Sequence, residues 1–450
     1  MKILQVVHSF VPDTFAGTEI HCYQLSKELS KKHEVAVFYR INDPCQEEYE
    51  IRKKQYQGLT VFTLNNTFKK CGSFQETYSN DAIDKAFARL LDEIKPDIVH
   101  IQHLLFLSLG IVNEIKKRPI RVVFTCNDYW LFCHKGQMVR KDGRLCAKEE
   151  PADCLVCQEA QLSLNRVAAA GYRFLRKQAA LRLLRACKAV YLNSLKVIPW
   201  QARRAKKGLI NRKKQVRQVI AGIDRFIAPS LFMQSKALEN GIPAEKILLC
   251  RHGLEKGRFA RAKTANQGII RFCFIGTLLP EKGIDLLVKA FKQLKNKNAA
   301  LHIYGKNSGY AGYEDFFTRL KEAASDDKRI QFMGIIKNEM VYEAYSCNDI
   351  LIFPSIWNEN SPLVILEALA SGTPVIASRI GGIPEFIQHG INGLLFEPGN
   401  AEELQQALSK FFDDPILLPR LQEGIGKVKG IEEYALEIEN VYRKSCETRK

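Results

Sequence analysis

Residues 354–378 read PSIWNENSPLVILEALASGTPVIAS, a stretch that indicates the fold more clearly than any other part of the chain. Its middle is an apolar run, Leu363–Ala370, which is long enough for about two turns of helix. Ser361 is placed to cap that helix, Pro362 to occupy its first position and Gly372 to follow its end. The apolar residues after Gly372 are typical of a short buried strand. A helix that leads at once into such a strand favours an α/β protein with a parallel sheet.

Two acidic residues in this stretch stand eight positions apart, Glu359 on the loop and Glu367 inside the apolar run. A buried charge without partners costs several kcal/mol, so a ligand that supplies partners is favoured. Sugar hydroxyls do so, because each charge-assisted hydrogen bond to a carboxylate contributes roughly 1.5–3 kcal/mol. The free backbone amides at the helix start suit a diphosphate. The alternative is that Glu367 reaches solvent or pairs with a nearby lysine.

The stretch resembles the donor-site signature of the retaining glycosyltransferases of family 4, the glycosyl transferases group 1. In that signature E-x7-E is followed by A-x-A-x-G-x-P-V, and Glu359 and Glu367 keep its spacing. The resemblance implies an α/β protein of the GT-B fold, with two doubly wound Rossmann-like domains that face a cleft. It also implies that Glu359 contacts the transferred sugar and that Glu367 contacts the ribose of the nucleotide.

Residues 274–283, FIGTLLPEKG, resemble the loop that grips the donor diphosphate in this family. Lys282 matches the family lysine that neutralises charge on the leaving group, while Thr277 replaces the usual arginine. Glycines after two further strands are expected to let the nucleotide approach the backbone. The resemblance implies the following donor-binding residues: Gly17, Gly276, Thr277, Lys282, Gly305, Gly334, Glu359, Asn360, Ser361, Pro362, Leu363 and Glu367.

The first half of the chain carries weaker matches to the same family. Residues 15–19, FAGTE, resemble its G-G-T-E loop, and residues 125–131, TCNDYWL, resemble its T-x-H-D-x-W-L, with Asn127 in place of the histidine. In the family the leaving diphosphate helps to deprotonate the acceptor in a front-face displacement, so an asparagine here is compatible with activity. No catalytic metal ion is expected. The resemblance implies five catalytic residues: Lys282, Glu359, Asn127, Asp128 and His103.

Short apolar strands alternate with helical patterns along both halves of the chain, which predicts two parallel sheets covered on both faces. We expect an acceptor-binding domain at residues 1–257 and a nucleotide-sugar-binding domain at 258–430. In the family the last helix crosses back to the first domain, and residues 431–450 have the helical spacing for this. The strands are predicted at residues 3–7, 34–39, 59–64, 97–102, 121–125, 226–228, 270–275, 300–304, 330–332, 350–353 and 374–377.

Four of the thirteen cysteines lie close together in sequence, in an insertion of the first domain. The last two form a C-x2-C pair, which is the spacing of a structural zinc site. The loop that joins the four cysteines has little core of its own. The zinc ligands are predicted to be Cys133, Cys146, Cys154 and Cys157, and thiols without metal are the alternative. The odd number of cysteines in a chain without an evident export signal points to a reducing cytoplasm.

Residues 160–223 contain sixteen Lys or Arg and no Asp or Glu, so the rest of the chain carries only about +2 of the net +18. Leucine, phenylalanine and tyrosine interleave with these charges, as in a basic amphipathic helix. A solvated surface and a nucleic-acid surface are possible explanations, but no nucleic-acid-binding motif accompanies the charge and no nucleic-acid partner is expected. An anionic membrane surface is favoured, because each basic residue near it contributes about 1 kcal/mol.

The sequence therefore predicts a retaining glycosyltransferase of the hexosyltransferase type, with a nucleotide-diphosphate sugar as donor. The expected acceptor is a lipid-linked or other glycan precursor of a cell-surface polysaccharide. No run of about 18 apolar residues is present, so the protein is expected in the cytoplasm, peripheral on the inner face of the membrane. The alternatives are a nucleotide-sugar epimerase of the same fold and a metal-stabilised basic nucleic-acid-binding protein.

Overall fold

The computed structural model of the chain describes residues 1–140, 144–146, 154, 157, 199–255, 257, 259, 268–307, 315–337 and 340–447. These residues form two α/β domains, each built on a mostly or wholly parallel sheet with helices on its faces.

The first domain contains an eight-stranded sheet in the order β3-β4-β2-β1-β5-β6-β7-β8. All neighbours are parallel except β3 and β4, which are antiparallel. Its strands are β1 Lys2–Val7, β2 Glu34–Ile41, β3 Ile51–Tyr56, β4 Leu59–Asn65, β5 Ile98–Ile101, β6 Arg121–Thr125, β7 Arg225–Ala228 and β8 Ile247–Leu249. Its helices are α1 Gly17–Leu29, α2 Asp81–Ile94, α3 Ile111–Lys116, α4 Pro199–Gly222 and α5 Leu231–Glu239.

The second domain contains a six-stranded parallel sheet in the order β11-β10-β9-β12-β13-β14. Its strands are β9 Ile270–Ile275, β10 Ala299–Tyr304, β11 Ile330–Gly334, β12 Ile350–Phe353, β13 Val375–Ser378 and β14 Gly393–Phe396. Its helices are α6 Ile284–Lys292, α7 Phe316–Ala324, α8 Val341–Ser346, α9 Leu363–Ala370, α10 Ala401–Asp413 and α11 Leu417–Glu423.

The prediction of two doubly wound α/β domains is confirmed. Each run that was predicted as a strand overlaps a strand, although 97–102 and 374–377 extend beyond β5 and β13, because apolar runs fit sheets that are buried on both faces. Three strands were not predicted: β3, β8 and β14. β3 is an exposed antiparallel edge strand with the sequence IRKKQY, which has no apolar alternation to reveal it.

The last helix, α12 (Ile431–Glu447), packs on the first domain although it follows the second in sequence. Its Tyr442 hydroxyl accepts a hydrogen bond from Gln5 Nε2 at 3.3 Å and lies 2.7 Å from His100 Nδ1. Both partners are completely buried in the first sheet. Burial lowers the pKa of His100 to about 3. The crossing helix is therefore anchored by polar as well as apolar contacts, and its histidine partner is neutral.

The start of α9 corrects one detail of the sequence interpretation. Pro362, with φ −71° and ψ 114°, is itself the N-cap, and the helix begins at Leu363. The amide of Ile365 donates to the Pro362 carbonyl at 3.1 Å, so the first helical bond starts one residue later than predicted. Ser361 therefore does not cap the helix, and its buried hydroxyl has no hydrogen-bond partner among the described residues.

Candidate active site

The predicted site residues collect where the carboxyl ends of the two sheets face each other. Tyr129, which follows β6, donates its hydroxyl to the carbonyl of Asn358 beyond β12 at 3.0 Å. At the start of α1, a Cβ on Gly17 would lie 3.8 Å from the side chain of Leu363 at the start of α9. The first-domain and second-domain loops are thus in direct contact across the cleft, as expected for ligand sites at carboxyl strand ends.

Lys282 and Glu359 form an ion pair in this cleft. Lys282 Nζ lies 2.6 Å from Glu359 Oε1, and the same oxygen accepts bonds from Ser355 Oγ at 2.9 Å and Trp357 Nε1 at 2.5 Å. The Glu359 side chain is 7% exposed and that of Lys282 is 23% exposed. The ammonium also lies 5.0 Å from the Trp357 ring centre, within cation–π range. Lys282 therefore holds a positive charge at the cleft surface that a bound anion can share.

Glu367 is buried in α9, and its partner is a tyrosine. The Tyr345 hydroxyl lies 3.1 Å from Glu367 Oε2 and 3.0 Å from the carbonyl of Val364, to either of which it can donate. Among the described residues no cation pairs with Glu367, and the alternative of a lysine partner stays a prediction because Lys256 and Lys263 lie outside the described residues. Burial raises the pKa of Glu367 from 4.5 to about 7, and the Tyr345 hydrogen bond opposes that rise. A ligand hydroxyl in this position would favour the charged form.

Three predicted glycines line the ends of β9, β10 and β11. A Cβ on Gly305 would fall 1.8 Å from the carbonyl oxygen of Gly276, so only glycine allows these two loops to meet. Gly334 has φ +79° and nothing within 4 Å of a Cβ position, which leaves open space beside the strand end. Thr277 follows Gly276 and is partly buried. These loops leave room for a nucleotide close to the backbone.

Asn360 is placed differently from the other predicted donor residues, because its side chain joins the two domains. Its Oδ1 accepts from Ser230 Oγ at 2.7 Å, and its Nδ2 donates to the carbonyls of Cys126 at 2.8 Å and Asn127 at 3.2 Å. Every polar atom of this amide is thus engaged by the first domain. Asn360 fixes the position of Glu359 relative to Asn127.

On the first-domain side, His103 and Asp128 form a hydrogen-bonded pair. His103 Nδ1 accepts from the amide of Leu105 at 2.9 Å, so the ring proton is on Nε2 and is donated to Asp128 Oδ2 at 2.7 Å. Asn127 donates through Nδ2 to the carbonyl and the side-chain oxygen of Gln102 at 3.0 and 3.1 Å. No described residue bonds its own side-chain oxygen, which can therefore accept a bond from an acceptor hydroxyl.

Two residues beside this pair were not identified from the sequence. His8, just after β1, has its ring 4.5 Å from that of His103, and its Nε2 lies 3.3 Å from Glu19 Oε1. Glu19 is 3% exposed, and one of its oxygens has no partner among the described residues. Burial and the neighbouring His103 lower the pKa of His8, so it is neutral near pH 7. The acid in the FAGTE loop was the one available signal in the sequence.

Glu385 is a second residue that bridges the domains. Its two carboxylate oxygens accept from the amides of Leu231 and Phe232, both at 2.8 Å, at the start of α5. Arg251 Nη2 lies 3.3 Å from the same carboxylate. A negative charge at a helix N-terminus is stabilising, so this contact favours the observed domain arrangement.

The predicted zinc site stays a prediction. Among the described residues, which include all four cysteines, no group of three potential ligands is arranged to hold a metal ion. Cys154 and Cys157 are buried, and Cys133 and Cys146 pack against the hydrophobic core of the first domain. In the described structure the four cysteines thus lie in or against the apolar part of the first domain.

The basic region is described only in part. Residues 160–198, which carry half of its predicted charge, lie outside the described residues. In α4, Val216, Val219 and Ile220 are buried against the first-domain core. Lys207 and Lys214 are exposed on the same helix, so its described part is amphipathic and basic. No helix in the described part of the chain is long and apolar enough to cross a membrane.

Comparison with known proteins identifies the family. The model of Glycosyltransferase Family 4 matches residues 15–197, and that of Glycosyl transferases group 1 matches residues 256–427. Amylovoran biosynthesis glycosyltransferase AmsK of Erwinia amylovora is 28% identical over 209 residues, 44% of this chain and 50% of that protein. A D-inositol 3-phosphate glycosyltransferase of Corynebacterium glutamicum is 36% identical over 145 residues, 31% of this chain and 34% of the relative. The chain thus spans half or less of the length of these curated relatives.

Solved structures agree in fold along the full chain. Sucrose-phosphate synthase from Thermosynechococcus elongatus superposes with a TM-score of 0.68 at 19% identity, covering 98% of each chain. Anabaena Alr3699/HepE in complex with UDP gives 0.66 at 14% identity, covering 99% of this chain and 100% of that one. These identities are low, so the likeness concerns the fold. With two family models matched in succession along most of its length, the chain belongs to the family 4, group 1 glycosyltransferases and has the GT-B fold.

Proposed function

We propose that this protein is a retaining glycosyltransferase that moves a hexose from a nucleotide-diphosphate sugar to a glycan acceptor. The observation that carries the proposal is the arrangement of Lys282, Glu359 and Glu367 around one cleft. It combines an accessible cation for a diphosphate with two buried carboxylates for hydroxyl groups. The family membership supports this reading over an epimerase or a nucleic-acid-binding protein.

Donor binding exchanges the partners of the Lys282–Glu359 pair. A diphosphate at the start of α9 attracts Lys282, which then leaves Glu359 free to accept a hydrogen bond from the sugar. Ser355 and Trp357 continue to hold the Glu359 carboxylate in place. Glu367 lies further along the same helix and accepts a ribose hydroxyl. Charge that develops on the leaving diphosphate is stabilised by Lys282 and by the helix amides.

The acceptor enters from the first-domain side. Its hydroxyl donates to the free side-chain oxygen of Asn127, next to the His103–Asp128 pair. The leaving diphosphate then receives the hydroxyl proton as the new glycosidic bond forms on the same face of the sugar. No side chain needs to act as base, which is consistent with asparagine at position 127.

Nucleotide release from UDP-, GDP- and ADP-sugars tests this proposal. We expect the wild type to release nucleotide from one class of donor and Lys282→Ala to lower kcat about 100-fold, since removing one preorganised charge contact has effects of this size. Lys295→Ala, an exposed lysine of the same domain, is the matched control and should retain full activity. Equal activity of Lys282→Ala and wild type would contradict the proposed role of the cleft.

We further propose that the protein works at the cytoplasmic face of the membrane on a lipid-linked precursor of a surface polysaccharide. The exposed basic side of α4 and the net charge of +18 support this, as does the similarity to an amylovoran biosynthesis enzyme. In vesicle sedimentation, replacing Lys207, Lys214 and Arg217 by glutamine should weaken binding to anionic vesicles up to roughly 100-fold. Equal sedimentation with neutral and anionic vesicles would exclude the electrostatic attachment.

A further inference from the structure

An arginine and two phenylalanines form a separate group beside the cleft. Arg40 lies near the end of β2, Phe68 follows β4 and Phe106 follows β5. The guanidinium carbon is 5.3 Å from the ring centre of Phe68 and 5.1 Å from that of Phe106, and the two rings are 5.7 Å apart. These distances are in the cation–π range. Because β2, β4 and β5 are parallel, the group lies at the sheet edge that faces the cleft.

Both phenylalanines have a backbone conformation that is rare for residues with a side chain. Phe68 has φ +62° and Phe106 has φ +63°. Asn66 holds them there: its Nδ2 donates to the Phe106 carbonyl at 3.0 Å, and its Oδ1 accepts from the Phe68 amide at 3.2 Å. Arg40 Nε donates to the Asn66 carbonyl at 2.7 Å. One asparagine, 2% exposed, therefore holds the backbone of both phenylalanines and the side chain of Arg40, and such maintained strain is typical of functional sites.

The group leaves both a ring and a cation accessible. Phe106 is 36% exposed, and Arg40 and Phe68 are half-buried. Arg40 uses Nε for Asn66, and no described residue bonds its two terminal nitrogens. The charge of Glu48 acts on Arg40, but the oxygens of Glu48 accept from the Thr67 amide at 2.9 Å and hydroxyl at 2.8 Å. The surface thus offers an apolar face next to a cation with open donors.

We propose that Arg40, Phe68 and Phe106 form an acceptor subsite for a sugar that carries an anionic group, either phosphate or carboxylate. The apolar face of a sugar ring can stack on Phe106, while the guanidinium fork binds the anion through two parallel hydrogen bonds. The subsite rests on the proposed transfer reaction and extends it on the acceptor side. His103 is three residues before Phe106, so their Cα atoms are at most about 11 Å apart. An acceptor of two or three sugars spans both places.

Binding to the purified full chain tests the subsite without any need for activity. The probes are glucose 1-phosphate, glucuronic acid, methyl glucoside and inorganic phosphate, measured by saturation-transfer NMR. At least one anionic sugar should bind more tightly than methyl glucoside and phosphate, and the two anionic probes separate a phosphate from a carboxylate preference. Arg40→Gln and Phe106→Gly should each weaken this binding about tenfold or more. Glu367→Ala, which alters the donor site, should leave it unchanged.

Phe106→Gly also separates binding from packing. Glycine adopts positive φ freely, so this variant should keep or raise the Tm while it loses probe binding. The control is Phe317→Ala, because Lys321 lies 4.7 Å from the Phe317 ring centre and 6.0 Å from that of Phe332 in the second domain. Loss of the Phe317 ring from that cation–aromatic group should leave probe binding unchanged.

Three results would overturn the subsite: no probe binds the wild type, Phe106→Gly binds as well as the wild type, or Phe106→Gly lowers the Tm as loss of a packing ring would. Nucleotide release is measured separately on the same proteins. If the wild type binds a probe but releases no nucleotide, the proposed reaction is rejected and the subsite is not. If the wild type releases nucleotide but binds no probe, the subsite is rejected and the proposed reaction is not.

Discussion

Glu367 gives the protein a pH-dependent stability that can be measured without any substrate. Burial raises its pKa from 4.5 to about 7, so the folded protein keeps a proton that the unfolded chain has lost between these values. Since the folded state binds more protons, the free energy of unfolding falls as the pH rises through this window. The penalty is complete above about pH 7.

Glu367→Gln removes this penalty and preserves an oxygen that can accept from Tyr345. We expect the variant to be more stable than the wild type at pH 8, and the difference should grow by about 2 kcal/mol between pH 5.5 and pH 8. Urea unfolding at the two pH values measures it. A constant difference would mean that Glu367 does not titrate in this range. The same variant should lose donor-dependent activity. That loss would show that the Glu367 carboxylate is needed for the reaction and not only for packing.

Some site residues were accessible from the sequence because their environment is local. Glu367 stands out inside its own helix, and Lys282 belongs to a recognisable strand–loop–helix segment. Asn360 was assigned to the donor site by position alone, yet its amide bonds the carbonyl of Cys126, 234 residues away in sequence. Pairings made only when two sheets meet leave no spacing pattern to read.

Gly283 shows how a loop between elements positions Lys282, the predicted catalytic lysine. It joins the turn that carries Lys282 to α6, has φ +67°, and a Cβ there would lie 1.9 Å from the carbonyl oxygen of Pro354. That carbonyl precedes the loop bearing Glu359. Alanine at this position would therefore push apart the two segments that bring Lys282 and Glu359 together.

We expect Gly283→Ala to lower both the free energy of unfolding and nucleotide release. The matched control is Gly399→Ala, where φ is +79° but nothing lies within 4 Å of the Cβ position. The control should lose only the conformational term, about 1–2 kcal/mol, and retain activity. Gly283→Ala should lose at least twice as much, by chemical denaturation. Equal losses would show that the Pro354 contact relaxes without cost.

The elements themselves were predictable to different degrees for a physical reason. Central strands such as β1 and β9 are buried on both faces, so their sequences are mostly apolar. The edge strand β3 places four consecutive exposed residues along its length, and β8 has only three residues. Such edges are defined by the neighbour they pair with. The basic segment at 160–198 stays a prediction, since it lies outside the described residues.

The two domains of the whole molecule must meet for the proposed transfer, because the predicted donor residues other than Gly17 lie in the second domain, whereas Asn127, Asp128 and His103 lie in the first. Asn360 and Glu385 are the second-domain side chains that reach the start of α5 and the end of β6. Lys282, Glu359 and Glu367 depend on neither contact for their own partners. Donor binding and domain closure are thus separable in principle.

Glu385→Gln is expected to separate them. The amide keeps one oxygen for the α5 amides but removes the charge, and a charge at a helix N-terminus contributes 0.3–1 kcal/mol, rising to ~2 kcal/mol when partly buried. The domains should then spend more time apart, which small-angle scattering would detect as a larger radius of gyration. Donor affinity should stay at the wild-type value while transfer falls roughly tenfold. Glu397→Gln, which removes an exposed carboxylate of the same domain, is the control. A parallel loss of donor affinity in Glu385→Gln would instead show that Glu385 supports the donor loop itself. An unchanged radius of gyration together with unchanged transfer would show that the remaining Asn360 contacts are sufficient to hold the cleft closed.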